Sequence, residues 1–162
     1  MAAPTGWARG ISQVPCSAGE DQGMKIRTFD FEKHYDSVIA LWQASGPGVR
    51  ISPSDSPDSI RHKLERDPDL FLVAEEAGAL VGAVLGGYDG RRGMVYHLAV
   101  RQAEWHHGVG RRLLQELEAR LRAKGCIKYY LLVTVDNSQA IAFYEHLGME
   151  VMDLHVMGKV IG

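Results

Sequence analysis

Tyr96-His97-Leu98-Ala99-Val100-Arg101-Gln102-Ala103-Glu104-Trp105-His106-His107-Gly108-Val109-Gly110-Arg111-Arg112-Leu113-Leu114 is the stretch on which the reading of the chain turns. An apolar run ends at Val100, a polar and partly aromatic loop follows, and Gly108-Val109-Gly110 opens a helix. Val109, Leu113, Leu114, Leu117 and Leu121 recur at the spacing of one helical face. Arg111, Glu116, Glu118, Arg120 and Arg122 fall toward water, with Glu116/Arg120 and Glu118/Arg122 in the favourable i,i+4 order. Gly125 stands just past the end, where a left-handed cap is expected.

A strand running into a glycine-marked helix start outlines an anion site. The first turn carries four backbone N–H groups without an intrahelical partner, and the helix dipole adds positive potential there. Glycine lets a phosphate approach the backbone, and Arg111 and Arg112 add full charges in the same turn. Gly-x-Gly by itself is also consistent with a tight strand-to-helix turn. Two nucleotide patterns fail: Gly110 is followed by Arg111-Arg112 rather than Lys-Ser/Thr, and about 20 residues on stand Lys128, Tyr129 and Tyr130 instead of an acid.

The stretch resembles the GNAT superfamily of acyl-CoA-dependent N-acyltransferases. Leu98-Ala99-Val100 matches the end of that family's fourth strand, and Gly108-Val109-Gly110 matches its Gln/Arg-x-x-Gly-x-Gly/Ala loop, with Trp105 at the Gln/Arg position and His106 where glycine is frequent. A second segment, Asp136-Asn137-Ser138-Gln139-Ala140-Ile141-Ala142-Phe143-Tyr144-Glu145-His146-Leu147-Gly148-Met149, is similar to the family's Asn-x-x-Ala-x-x-Phe-Tyr-Glu-x-Leu-Gly-Phe. The resemblance runs from about Lys25 to the C-terminus.

It implies a mixed α/β (α+β) GNAT fold: a central sheet of six to seven strands flanked by four helices, in the order β-α-α-β-β-β-α-β-α-β. It implies acetyl-CoA as cosubstrate, with no metal, and acetyl transfer to a primary amine by direct attack in a ternary complex. The pyrophosphate would lie on the N–H groups of His106, His107, Gly108, Val109, Gly110 and Arg111. The pantetheine arm would bond the backbone of Leu98 and Val100 where the fourth and fifth strands splay apart, and Asn137 would bond the cofactor or cap its helix. Tyr144 would be the general acid that protonates the departing thiolate, unless it merely packs like Phe143.

A lysine-type amine of pKa about 10.4 costs about 4.6 kcal/mol to deprotonate at pH 7, so a base or a water chain has to assist. Relatives carry a glutamate at positions that here hold Met94 or Leu132. His97 or Tyr96 remains as the candidate base, with water relayed through backbone carbonyls as the alternative. Histidine ordinarily titrates near 6.5. Strand alternation sets Tyr96 and His97 on opposite faces, so only one reaches the cleft.

The 162 residues suit one domain, and 46% apolar with 23% charged content is ordinary for a globular chain. A net charge of −2 carries no footprint for nucleic acid or an anionic membrane. Two cysteines, Cys16 and Cys126, make no disulfide framework, which fits a reducing cytoplasm. No apolar run approaches membrane-spanning length. Residues 1–23 are rich in Gly, Ala, Ser and Pro without periodicity and lack a signal-peptide pattern; they read as a dispensable mobile extension or a start-site artefact, with the acetyltransferase domain at 24–162.

In order, Lys25–Thr28 reads as a strand, and Asp30 caps a helix bearing Tyr35, Val38, Ile39, Leu41 and Trp42. Ser45–Ser52 is a loop, Ser56 and Pro57 start a second helix, and Asp67-Pro68 stops it. Leu70–Glu76 and Leu80–Tyr88 form a hairpin about Ala77-Gly78-Ala79, with Gly82, Gly86 and Gly87 hinting at a bulge or a close approach. Met94–Val100 is the central strand. Ile127–Val135 reads as a strand buried on both faces, Ser138 caps the last helix, Gly148 ends it, and Val151–Val160 is a final strand. The 45–56 loop, with Arg50, and the 88–93 turn border the expected acceptor side. Partners are a small-molecule or peptide amine and, as dimers are common in the family, a second copy. A non-catalytic acyl-CoA-binding regulatory module, or a fold used only for protein interaction, is the rival reading.

Overall fold

The computed structural model describes residues 23–162. Its strands are β1 (Lys25–Thr28), β2 (Phe71–Glu76), β3 (Ala79–Tyr88), β4 (Gly93–Val100) and β5 (Tyr129–Leu131). They form one sheet in chain order, antiparallel from β1 to β4 and parallel between β4 and β5. The helices are α1 (Phe31–Ala44), α2 (Pro57–Arg66), α3 (Val109–Ala123) and α4 (Ser138–His146).

Period-two alternation divides β2 between two cores. Leu70, Leu72 and Ala74 meet Val81, Val84 and Val95 under the apolar stripe of α3, while Phe71 and Val73 meet Ala83, Leu85 and Ala99 under Val38 and Trp42 of α1 and Ile60 of α2. All five α3 positions singled out by their spacing are buried. The strand glycines let α3 settle close: a Cβ on Gly86 would stand 2.7 Å from Leu117 Cδ1, and one on Gly82 3.0 Å from Leu113 Cδ1. Arg120 ties α3 to the sheet, its guanidinium reaching Glu116 (2.9 Å), the Thr28 hydroxyl (2.7 Å) and the Asp69 carbonyl (2.9 Å). Glu118 accepts from the Tyr129 hydroxyl at 2.7 Å.

The helix starts follow their caps. Asp30 accepts from the Lys33 N–H and Ser56 from the Ser59 N–H, with Pro57 in the first turn. Cap geometry on α4 corrects the sequence expectation: Asn137, not Ser138, is the cap, its Oδ1 accepting from the Ala140 N–H at 3.1 Å.

Two further corrections lie at the open side of the sheet. Of the run 127–135 only Tyr129–Leu131 is strand, and it is not buried on both faces; Ile127, Leu132 and Val135 are 88%, 62% and 96% exposed. Val151–Val160 forms no strand and lies exposed. The sheet therefore has five strands among the described residues, not six or seven. A strand exists by pairing, and β-propensity alone does not supply a ladder. Residues 1–22, including Cys16 and nearly all of the expected extension, lie outside the described residues.

Candidate active site

β4 pairs with β5 at only three positions, Gly93↔Tyr129, Met94↔Tyr130 and Val95↔Leu131. Beyond them β4 continues to Val100 with β3 on one side and, among the described residues, no strand on the other. A gap thus opens along the backbone of Tyr96–Val100, where the resemblance expects a splayed pair and where Leu98 and Val100 stand. Val100 O accepts from the Trp105 indole Nε1–H at 2.8 Å, so Trp105 turns back to brace the end of β4.

The ladder between β3 and β4 slips beside the gap. Leu85 faces His97 and Gly86 faces Val95, leaving Tyr96 without a partner, a bulge in β4. The bulge overturns the alternation expected of Tyr96 and His97. His97 packs on Trp42 of α1, ring centroids 4.5 Å apart, and Tyr96 lies toward Lys63 of α2, whose Nζ is 5.9 Å from its ring centroid. Both side chains turn to the α1–α2 side because the extra residue resets the pleat.

After β4 one 3₁₀ turn (Gln102–Glu104) leads into α3. Gly108 is the helix cap, at φ +80° and with no side chain accepting from the first turn. That left-handed geometry favours glycine, and the helix entrance is left to its bare N–H groups. His106 also has positive φ, +66°, and both His106 and His107 are exposed in the loop. Gly110 sits under α4: a Cβ there would be 3.2 Å from Phe143 Cζ and 3.6 Å from Val100 Cγ2. The end of β4, the entrance of α3 and the Phe143-Tyr144 face of α4 therefore meet at one place, as the two separated motifs require.

Tyr144 packs with Phe143 around the α3 core, their rings 5.1 Å apart and edge-to-face. Burial pushes its phenol up to about 12. Tyr129, buried and donating to Glu118, is raised further still by desolvation first and that bond second. Asn137 stands at the far side of the gap, where a Cβ on Gly48 would be 2.8 Å from its Nδ2, so the α1–α2 loop closes over this corner.

Asp55 is the site residue that sequence reading missed. It is 5% exposed, and its Oδ1 lies 3.1 Å from His97 Nε2. Its Oδ2 accepts from the Ser52 N–H (2.8 Å) and the Ser52 hydroxyl (3.2 Å), and the Tyr35 hydroxyl donates to its backbone carbonyl (2.9 Å). Ser52-x-x-Asp55 is capping-box spacing and was readable; its reach to a histidine 42 positions on was not. A carboxylate only accepts, so the His97 Nε2 that faces it carries a proton and donates. His97 lies on the α1 side of the sheet and Tyr144 on the α3 side, so they approach the gap from opposite faces. Among the described residues no group of His, Cys, Asp or Glu is placed to hold a metal ion, and no helix is long and apolar enough to cross a membrane.

The profile of the Acetyltransferase (GNAT) family matches residues 35–149. An acetyltransferase of Pectobacterium atrosepticum is 42% identical over 137 residues, covering 84% of this chain and 94% of that protein. Among solved structures, Ard1 from Thermoplasma volcanium superposes with a TM-score of 0.70 at 25% identity over 80% of this chain and 84% of its own. The PaiA N-acetyltransferase of Thermoplasma acidophilum, solved with coenzyme A, gives 0.69 at 21% identity over 82% and 92%, a likeness of fold. With the open α3 entrance and the parted strands beside it, these matches place the chain in the GNAT acetyltransferase family, as an acetyl-CoA-dependent N-acetyltransferase.

Proposed function

We propose that the chain carries an acetyl group from acetyl-CoA to a primary amine by direct attack within a ternary complex, on the 24–162 domain. The observation that carries this reading is the entrance of α3, where Gly108 leaves the first-turn N–H groups uncapped beside the unpaired edge of β4. The N–H groups of Val109, Gly110 and Arg111, with those of His106 and Gly108 just ahead of them, are suited to a diphosphate, while the His107 N–H donates to the Glu104 carbonyl at 3.4 Å. The backbone of Leu98 and Val100 faces the gap that would take the pantetheine arm, and Asn137, already the cap of α4 through Oδ1, would add a polar contact through its Nδ2 beside Gly48.

The amine nitrogen attacks the thioester carbon, the N–C bond forms, the C–S bond breaks, and the products are an N-acetyl amide and coenzyme A. His97 Nδ1 takes the proton from the attacking amine, with Asp55 fixing the tautomer through Nε2. Tyr144 donates to the departing sulfur. A phenol near 12 is a weaker acid than a thiol of about 8.5, a mismatch of roughly 3.5 units or about 4.8 kcal/mol if the sulfur were in water. The apolar surroundings that raise Tyr144 raise a thiol beside it too, so the donor and the sulfur move together. The acceptor is a small-molecule or peptide amine, the sparse cysteines fit a reducing cytoplasm, and sedimentation tests for a homodimer.

Calorimetric titration with coenzyme A, followed by a free-thiol release assay over small amines, amino acids and peptide N-termini, tests the reading. Saturable binding with thiol release is expected. Binding without release from any amine would favour a regulatory acyl-CoA-binding module, and no binding would end the proposal.

A further inference from the structure

A recess of about 280 Å³ opens between α2, the 88–93 turn and the first residues of β4. Lys63 and Arg66 of α2 and Arg92 of the turn bring three cations to it, against Asp67 and Asp89. Both carboxylates are already engaged. Asp67 is paired with Lys63, and Asp89 accepts from the N–H groups of Arg91 and Arg92 at 2.6 Å each. Among the described residues neither the Arg66 nor the Arg92 guanidinium forms a close ion pair with a carboxylate; Arg66 donates to the Tyr88 carbonyl at 3.2 Å, and its charge adds to the two backbone N–H bonds that lower the Asp89 carboxyl. The wall on the other side is aromatic: Tyr88, Tyr96 and Tyr130.

The position is as telling as the charge. Met94 and Tyr96 line the recess and flank Val95, the last residue of β4 paired with β5, so the recess abuts the point where the gap begins. The bulge is what turns Tyr96 into it. The turn that presents Arg92 is braced, by Asp89 on two N–H groups and by the Tyr88 hydroxyl on the Gly90 carbonyl (2.8 Å). Two guanidiniums without a close carboxylate, over an aromatic wall, match a planar or tetrahedral oxyanion.

We propose that this recess binds an acidic group, carboxylate or phosphate, on the amine that accepts the acetyl group, with Arg66 and Arg92 as its counter-charges. The inference rests on the acetyl-transfer reading and narrows its substrate class to small amines with an anionic end. The anion in the recess would leave the amine end directed along β4 toward the gap.

The test uses the full chain and matched acceptors: an amino acid against its carboxamide, and phosphoethanolamine against ethanolamine. Thiol release gives kcat/KM for each, and calorimetry on the coenzyme A-loaded protein gives their binding. The acidic member of at least one pair is expected to exceed its neutral congener about 10-fold or more in both readouts, the carboxylate and phosphate pairs deciding which oxyanion is preferred. In Arg66→Gln/Arg92→Gln that ratio falls toward one, while coenzyme A affinity stays as it was; Arg66→Lys/Arg92→Lys restores part of it. Equal binding of acidic and neutral members, or a ratio indifferent to both double variants, overturns the proposal. Acidic members that bind selectively but release no thiol would instead leave the recess standing and overturn the transfer reading.

Discussion

Burial acts on a single phenol in two directions. At Tyr144 it holds the proton in place, since a group pushed up to about 12 is protonated at every pH where the protein works. It also makes complete transfer to a solvated thiolate unfavourable, so in the proposed role Tyr144 would act as a hydrogen bond that strengthens while charge grows on sulfur. Tyr144→Phe is therefore expected to lower kcat about 10- to 100-fold with coenzyme A affinity nearly unchanged, read by steady-state kinetics beside calorimetry. Ionisation of the phenol should set no alkaline limb below about pH 11. In the proposed reaction His97 and Asp55 make the opposite case, an imidazole held by a buried carboxylate. His97→Gln should cost about 10²-fold in kcat. Asp55→Asn should cost less in kcat, because an amide in place of the carboxylate no longer selects the tautomer. A rate indifferent to both changes would assign proton removal to water. The members of the candidate site were half legible beforehand. Tyr144 and His97 stood out by motif and chemistry, whereas Asp55 lies 42 positions from His97 and only the folded α1–α2 loop brings it there.

Elements were legible wherever a local rule decided them. The α3 stripe, the Asp30 and Ser56 caps and the hairpin turn each follow from spacing or turn chemistry within a few residues. The bulge at Tyr96 was not, because it is a property of two strands at once: glycines at 86 and 87 in β3 gave a hint, yet only the register tells which strand carries the extra residue. The α3 entrance yields a prediction of its own. Gly108→Ala places a side chain at φ +80°, which costs about 1–2 kcal/mol. A small drop in melting temperature and a weaker hold on coenzyme A should appear together; an unchanged affinity would detach that turn from the diphosphate. The first turn of α1 is tied to β2 by Glu75, which accepts from Lys33 Nζ (2.5 Å) and pairs with Arg27 Nε (3.1 Å) and His34 Nε2 (3.3 Å). The Lys33 bond above all, then that from His34, holds this carboxyl below its usual range against the opposing effect of burial. Since the folded value is depressed, the tie stabilises above the unfolded carboxylate value of about 4.3 and is lost as pH falls through the folded one. Glu75→Gln should cost about 1 kcal/mol at pH 7, a few degrees in melting temperature, and the gap to the parent protein should close near pH 3. A difference that persists in acid would mean the charge was not its origin.

Across the whole molecule, the middle of the sheet is finished and its β5 side is not. β2 and β3 are covered on both faces, whereas β5 is held by three ladder positions and the chain beyond Met149 is exposed. Composition and order anticipated strands there because both runs have the right residues; what they could not contain was the neighbour each would need. Val151, Leu154, Val156, Met157, Val160 and Ile161 are each 69% or more exposed. With a net charge of only −2, little long-range repulsion keeps copies of the chain apart. Handling at the bench should register this as salting-out: ammonium sulfate, which is excluded from apolar surface, should raise light scattering at lower concentrations than for a copy ending after Met149, and chloride of equal ionic strength should do so far less.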